Sequence, residues 1–218
     1  MGQIFQRAEK YLDKIDSGVF VEIGSSRDGD DGSTKVIAGW AKQRDCWLMT
    51  VDFDPRVSEA LKKQFVVTVA DANEAGRRPD DVDIITATGE EYLTWYSERR
   101  SHSDDKEPIS LLYLDNFDWD WHPLNTEEFV IEQQQRYDEL GYTMTNLMSQ
   151  MVHLNQAILA MPSMAERSLI ICDDTWFNEH WGHYSGKSGA AIPYLICQGY
   201  RVLESEEYPT YGTILGRW

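Results

Sequence analysis

Asp115, Asp173 and Asp174 are the residues of this 218-residue sequence whose types and positions point most clearly to chemistry. Asp115 closes the apolar run "ISLLYLD", and the aspartate pair closes "SLIICDD". A single acidic residue after such a run is commonly a helix cap, because the helix macrodipole favours negative charge at its N-terminus. Asp54, immediately before Pro55, reads that way. The other three follow runs that are neighbours in the usual order of a parallel sheet, so their like charges would converge at one edge. A hard divalent cation would relieve that repulsion, and three carboxylates with open coordination positions suit Mg²⁺ or Mn²⁺.

A second group lies in and around "VFVEIGSSRDGDDGST", residues 19–34, where an apolar run passes into glycines, hydroxyls and carboxylates. Glu22 and Gly24 end this run, Asp52 and Asp54 end the next, and Thr88, Gly89 and Glu90 end a third. Gly24, Gly29 and Gly32 are spread too widely for the dinucleotide fingerprint, and three aspartates oppose a pyrophosphate. Gly182 to Ser188 has the look of a phosphate loop, but its glycines are too close together and no strand immediately precedes them. A cationic or zwitterionic cofactor fits a carboxylate-lined loop better. His153, in "SQMVHLNQAI", falls on a helix; a neutral imidazole there could accept a hydroxyl proton or be an inert, hydrogen-bonded core histidine. His180 and His183 have the spacing of a one-faced helical zinc pair, yet Trp181, Gly182, Gly186 and Gly189 around them favour a loop. Lys187 is expected to be solvated.

The elements that must position these residues are legible in the apolar runs at 19–23, 46–52, 82–88, 109–115 and 168–174. Continuous rather than alternating apolar runs imply strands buried on both faces, the condition of parallel strands between helices. The fold class is therefore doubly wound α/β. A helix over "SGAAIPYLICQG" and an antiparallel hairpin of "YRVLES" and "YGTILGRW" complete the chain. Asp115 and Asp173 are 58 positions apart, far more than one crossover helix needs. Helices are expected at about 126–140 and 145–161, after the aromatic, acidic stretch "DNFDWDWHP", which could stack on a sugar or planar ring or pack its tryptophans on the domain.

Composition narrows the partners. With 42% apolar residues and 26% charged ones the chain is an ordinary globular sequence, long enough for one domain over 1–218. A formal charge of -17 with short, scattered basic clusters disfavours nucleic acid and anionic membranes. Cys46, Cys172 and Cys197 have no paired spacing and suit a reducing, cytoplasmic setting. No apolar stretch approaches transmembrane length. A small-molecule substrate is the expected partner, and assembly as a homo-oligomer stays open.

The succession "VFVEIGSSRDGDDGST", "TVDFDP", "TATGEEYL", "LLYLDNFD" and "LIICDDTW" resembles the ordered motifs of class I S-adenosylmethionine-dependent methyltransferases. The closer resemblance is to the metal-dependent O-methyltransferases, including the catechol and macrocin types, and the resemblance covers roughly residues 18–205. The resemblance implies a Rossmann-like, seven-stranded, mostly parallel sheet with an antiparallel last strand, helices on both faces and a helical insertion of about 116–150 between strands four and five. It implies that Gly24, Ser25 and Ser26 approach the methionine part of the cofactor, with Glu22 orienting the loop. Asp52 would take the ribose hydroxyls, and Gly89 and Glu90 would border the adenine. Asp115 would lie between cofactor and metal, with Asp173 and Asp174 completing the ligands for Mg²⁺ or Mn²⁺. Asp118 stands where the catechol enzymes keep a lysine base, so that base is missing; some relatives place a histidine near the metal in the helix after the fourth strand, and His153 is the candidate base on that likeness. The substrate class implied is a small-molecule or sugar hydroxyl; a cephalosporin-hydroxylase-like reaction or a non-catalytic binding role on the same fold is the alternative.

Overall fold

The structure, a computed structural model, describes residues 3–25, 32–65, 82–101, 107–118, 127–207 and 211–218. Five apolar runs form parallel strands β1 (Val19–Ile23), β2 (Trp47–Asp52), β3 (Val82–Thr86), β4 (Ile109–Leu114) and β5 (Met164–Cys172). Two short strands follow, β6 (Thr175–Asn178) and β7 (His183–Gly186), and then the closing pair β8 (Arg201–Glu206) and β9 (Gly212–Arg217). The main sheet has the order β3-β2-β1-β4-β5-β9-β8. Only β9 runs against its neighbours. The sheet is thus the seven-stranded, mostly parallel one expected. Strand ends differ by a few residues, most at β5, which starts at Met164 rather than 168.

Side chains alternate across each strand, so one strand feeds two cores. Val21 and Ile23 of β1, Leu112 and Leu114 of β4 and Ile170 of β5 share one core with helices α4 (Gly89–Ser101), α6 (Asn146–Ala160) and α7 (Ala191–Cys197). Phe20, Leu111, Tyr113, Leu169 and Ile171 face the other way, onto α1 (Gln3–Glu9) and α2 (Ser33–Gln43). Helix α3 (Pro55–Phe65) lies against β2 and β3. Among the described residues no helix is long and apolar enough to cross a membrane.

The long segment between β4 and β5 holds α5 (Glu127–Glu139) and α6, within two residues of the expected bounds. Their roles differ. Helix α6 is the crossover, capped by the Thr145 hydroxyl, which accepts from the Met148 amide at 3.1 Å, and packed against α4 and α7. Helix α5 is the inserted one. Its Tyr137 joins Phe117 and Met144 in a small separate core against Phe53, Val130 and Val152. Arg136 also pairs at 2.8 Å with Asp54, whose carboxylate is buried beyond the end of β2. The insertion therefore docks across the ends of β2 and β4 instead of widening the sheet.

Candidate functional site

Hydrogen-bond register brings the candidate residues to one line. Ile23 of β1 is opposite Val51 of β2 and Leu114 of β4, and Leu114 is opposite Cys172 of β5. The residues that follow, Gly24, Asp52, Asp115 and Asp173, must then share one sheet edge. The ladder continues one step past the strands: the amides of Gly24, Asp115 and Asp173 donate to Val51, Ile23 and Leu114 carbonyls at 2.8, 2.9 and 3.0 Å. The strand order reverses between β1 and β4, the position at which open α/β sheets form a ligand crevice.

Gly24 has φ +92°, and a Cβ there would collide with the backbone of Asp115 and Asn116. Only glycine lets the β1 turn approach the end of β4 this closely. The turn is then held by carboxylates. Asp52 accepts from the Ser25 amide at 3.1 Å with one oxygen and from the Asp54 amide at 2.8 Å with the other. Glu22 is buried and accepts from Ser33 Oγ and Thr50 Oγ1, each at 2.6 Å. Burial pushes its pKa up to about 7, against the pull of those hydroxyls. Asp54 is a cap, accepting from the Arg56 amide at 2.9 Å. Ser26 lies outside the described residues, as do Gly29 and Asp30.

At the next strand end Thr88 and Glu91 form a capping box on α4, with the Thr88 hydroxyl accepting from the Glu91 amide at 3.2 Å and Glu91 accepting from the Thr88 amide at 3.0 Å. Gly89 is buried so closely that a Cβ would press on Ile23 and Gln156. Glu90 accepts from Gln156 Nε2 at 3.0 Å. Asn116 Oδ1 and Gln156 Oε1 are buried acceptors with no hydrogen-bond partner among the described residues. Asn116 adjoins Gly24 and Gln156 adjoins Gly89, so both lie at the same end of the sheet. Neither stands out in sequence, since amide side chains carry no local signal of burial.

Asp115, Asp173 and Asp174 do converge, with ligand oxygens within 4.8 Å of one another. A fourth residue joins them. Lys187, 3% exposed, places Nζ 2.7 Å from Asp115 Oδ1 and 2.9 Å from Asp174 Oδ2. Its expected solvation is wrong. Burial works to lower the Lys187 pKa, but Asp115, Asp174, Asp118 and Asp173 more than reverse this and hold it well above the usual value. Asp173 moves upward too, through burial first and then the charges of Asp115 and Asp174. The second oxygen of Asp115 accepts from the Tyr113 hydroxyl at 3.2 Å.

The residues expected to form a loop around His180 and His183 instead form the β6-β7 hairpin, in which Phe177 pairs with Tyr184, rings 5.1 Å apart. Cross-strand aromatic pairing outweighs the glycines. The histidines sit in its turn and its second strand, and the acidic trio is the single group of metal-ligating type found among the described residues. The hairpin returns residue 187 to residue 174, with the Lys187 amide donating to the Asp174 carbonyl at 3.0 Å. Gly186, at φ +88°, leaves no room for a Cβ beside that carbonyl. Small residues flanking a lone lysine, "SGKSG", were the available sign of this close approach.

His153 is fully buried. Its Nε2 lies 2.5 Å from the Asn116 carbonyl and its Nδ1 lies 2.6 Å from Ser188 Oγ. A carbonyl only accepts, so Nε2 carries the proton and Nδ1 accepts from Ser188. Burial lowers its pKa to about 3. The neutral ring ties α6 to the β4 end and to the hairpin exit, and both nitrogens are committed to that tie.

No protein-family model matches the sequence, and no curated protein does. Solved structures match over nearly the whole chain. PH0851 is 13% identical with a TM-score of 0.55, covering 99% of this chain and 45% of that one. The SAH-bound Podospora anserina methyltransferase PaMTH1 is 14% identical with a TM-score of 0.50, covering 99% and 76%. NSun6 from Pyrococcus horikoshii, with SFG, is 11% identical with a TM-score of 0.50, covering 99% and 51%. At such identities the likeness is one of fold, and the fold is Rossmann-like α/β.

Proposed function

We propose that the chain is an S-adenosylmethionine-dependent methyltransferase acting on a hydroxyl of a small molecule, of the sugar or natural-product class. The observation that carries this reading is the convergence of Gly24, Asp52, Gly89 and Asp115 on the sheet edge where the strand order reverses, the place at which open α/β sheets bind ligands. The residues fit such a cofactor in their chemistry: the Gly24 turn brings the ends of β1 and β4 close together, and the carboxylates of Asp52, Glu90 and Asp115 at that end of the sheet suit a zwitterionic ligand that carries hydroxyls and a sulfonium. When bound, the cofactor supplies an electrophilic methyl group on a sulfonium.

Every other role falls to the chain. Asp52, whose carboxylate accepts from the Ser25 and Asp54 amides, takes the ribose hydroxyls. Gly89 and Glu90 border the adenine, and Gly24 and Ser25 the methionine part. Asp115 stands between cofactor and acceptor. The acidic edge receives the acceptor hydroxyl, orients it and takes up its proton, and Lys187 stabilises the negative charge that develops on the oxygen. Calorimetric titration with S-adenosylhomocysteine tests the reading. Binding by the wild type, weakened in Asp52→Asn by about 1.5–3 kcal/mol as for hydrogen bonds to a charged group, is the expected result. A folded wild type that binds none would overturn it.

A further inference from the structure

We propose that the resident cation of the acidic edge is Lys187 itself, so that this site operates without bound Mg²⁺ or Mn²⁺. The inference rests on the reading of this edge as the acceptor site, and departs from the metal that the carboxylates alone lead one to expect. The reason is competition for the same oxygens. The ammonium is 2.7 Å from Asp115 and 2.9 Å from Asp174, and approaches the Asp115 carbonyl at 3.4 Å. An Mg²⁺ ion bonded to the same Asp115 oxygen at about 2.1 Å would stand no more than about 5 Å from Nζ. Two cations would then repel each other in a partly buried site where screening is weak.

The lysine is not a surface side chain that has drifted inward. Its backbone is pinned on both sides: Gly186 is pressed on Asp174, the Lys187 amide bonds the Asp174 carbonyl at 3.0 Å, and Asp174 itself has φ +45°. Beyond it the Ser188 amide donates to Thr175 Oγ1 at 2.9 Å, and the Ser188 hydroxyl meets His153 at 2.6 Å. A hairpin, a left-handed aspartate and a buried histidine thus converge on one cation. In methyl transfer its charge does what a metal's would. The acceptor O–C bond forms as the S–C bond breaks, the bonding electrons stay on sulfur to give the thioether, and the hydroxyl proton passes to a carboxylate of the edge. Lys187 holds those carboxylates in place and offsets the charge on oxygen.

Titration of the full chain with Mn²⁺, followed by electron paramagnetic resonance of the free ion, tests this directly. The wild type should bind no stoichiometric Mn²⁺ at submillimolar concentrations. Lys187→Met, which keeps the stem and removes the charge, should gain one site at least about tenfold tighter than any in the wild type, lost again when Asp173→Asn is added. One stoichiometric ion on the wild type, abolished by Asp173→Asn, would overturn the proposal, as would a folded Lys187→Met with no gain. If Lys187→Met does not fold, the wild-type titration decides alone. S-adenosylhomocysteine titration of the same samples separates the two readings: wild type without cofactor binding sinks the methyltransferase assignment, whatever the Mn²⁺ result.

Discussion

Glu22 and His153 show how burial assigns charge residue by residue. Glu22 has its pKa raised from 4.5 to about 7. Between those values the folded state holds a proton that the unfolded state has lost, so this residue favours folding in acid and loses that contribution as pH rises through 7. His153 is the opposite case: its pKa falls from 6.5 to about 3, so the unfolded state binds the extra proton and stability drops as pH falls through that window. The comparison of wild type with Glu22→Gln isolates the first effect. The mutant's stability relative to wild type should rise between pH 4.5 and 8 by on the order of 3 kcal/mol, the equivalent of the Glu22 shift. Urea unfolding at several pH values measures it, and a pH-independent difference would show that Glu22 is not titrating in this window.

At the scale of elements, the β6-β7 hairpin and the α5 insertion each deliver residues to the edge. Gly186→Ala would set a methyl against the Asp174 carbonyl at a positive φ. The hairpin exit must shift, and Lys187 with it. We expect a loss of about 1–3 kcal/mol, the scale of a strained backbone position, with Mn²⁺ binding moving towards that of Lys187→Met. A mutant that melts like the wild type would show the turn to be tolerant. The insertion depends on charge as well as on its aromatic core. Arg136→Met leaves the buried Asp54 carboxylate with Arg56 as its remaining partner in this network. Stability should fall by about 1.5–3 kcal/mol, as when a hydrogen bond to a charged group is lost. Proteolysis within 127–145 should accelerate more than proteolysis of the β8-β9 hairpin; equal acceleration of both would mean that α5 is not separately docked.

For the whole molecule, a charge of -17 spread over 218 residues means that self-repulsion opposes the compact state. Salt screens this repulsion over about 8–10 Å near physiological ionic strength. A ligand that binds only the folded state adds stability by mass action, about 2.7 kcal/mol at one hundred times its Kd. For a chain of this size the expected rise in Tm with saturating S-adenosylhomocysteine is therefore about 5–10 °C. It should persist in high salt, because short-range hydrogen bonds to partly buried groups are screened far less than attraction between exposed charges. Differential scanning fluorimetry at low and high NaCl measures both. A shift that vanishes in salt would indicate surface association rather than occupation of the crevice.

The strand runs, the acidic ends of those strands and the two helices between Asp115 and Asp173 were legible in the sequence by itself, because each is a local pattern. Apolar continuity marks a strand buried on both faces, and a polar residue ending it marks the sheet edge. Parallel pairing then leaves little freedom: once Ile23, Val51, Leu114 and Cys172 are in register, the carboxylates behind them must meet. What lay beyond reach was the partner that decides their charge. Lys187 is 72 positions from Asp115 and looks like any solvated lysine until the hairpin folds back. His153 likewise offers the same letters whether it is a base or a tie, and only its burial between Asn116 and Ser188 commits both nitrogens. Desolvation and ion pairing depend on what the folded chain places within a few ångströms, and that is set by tertiary structure rather than by spacing along the sequence.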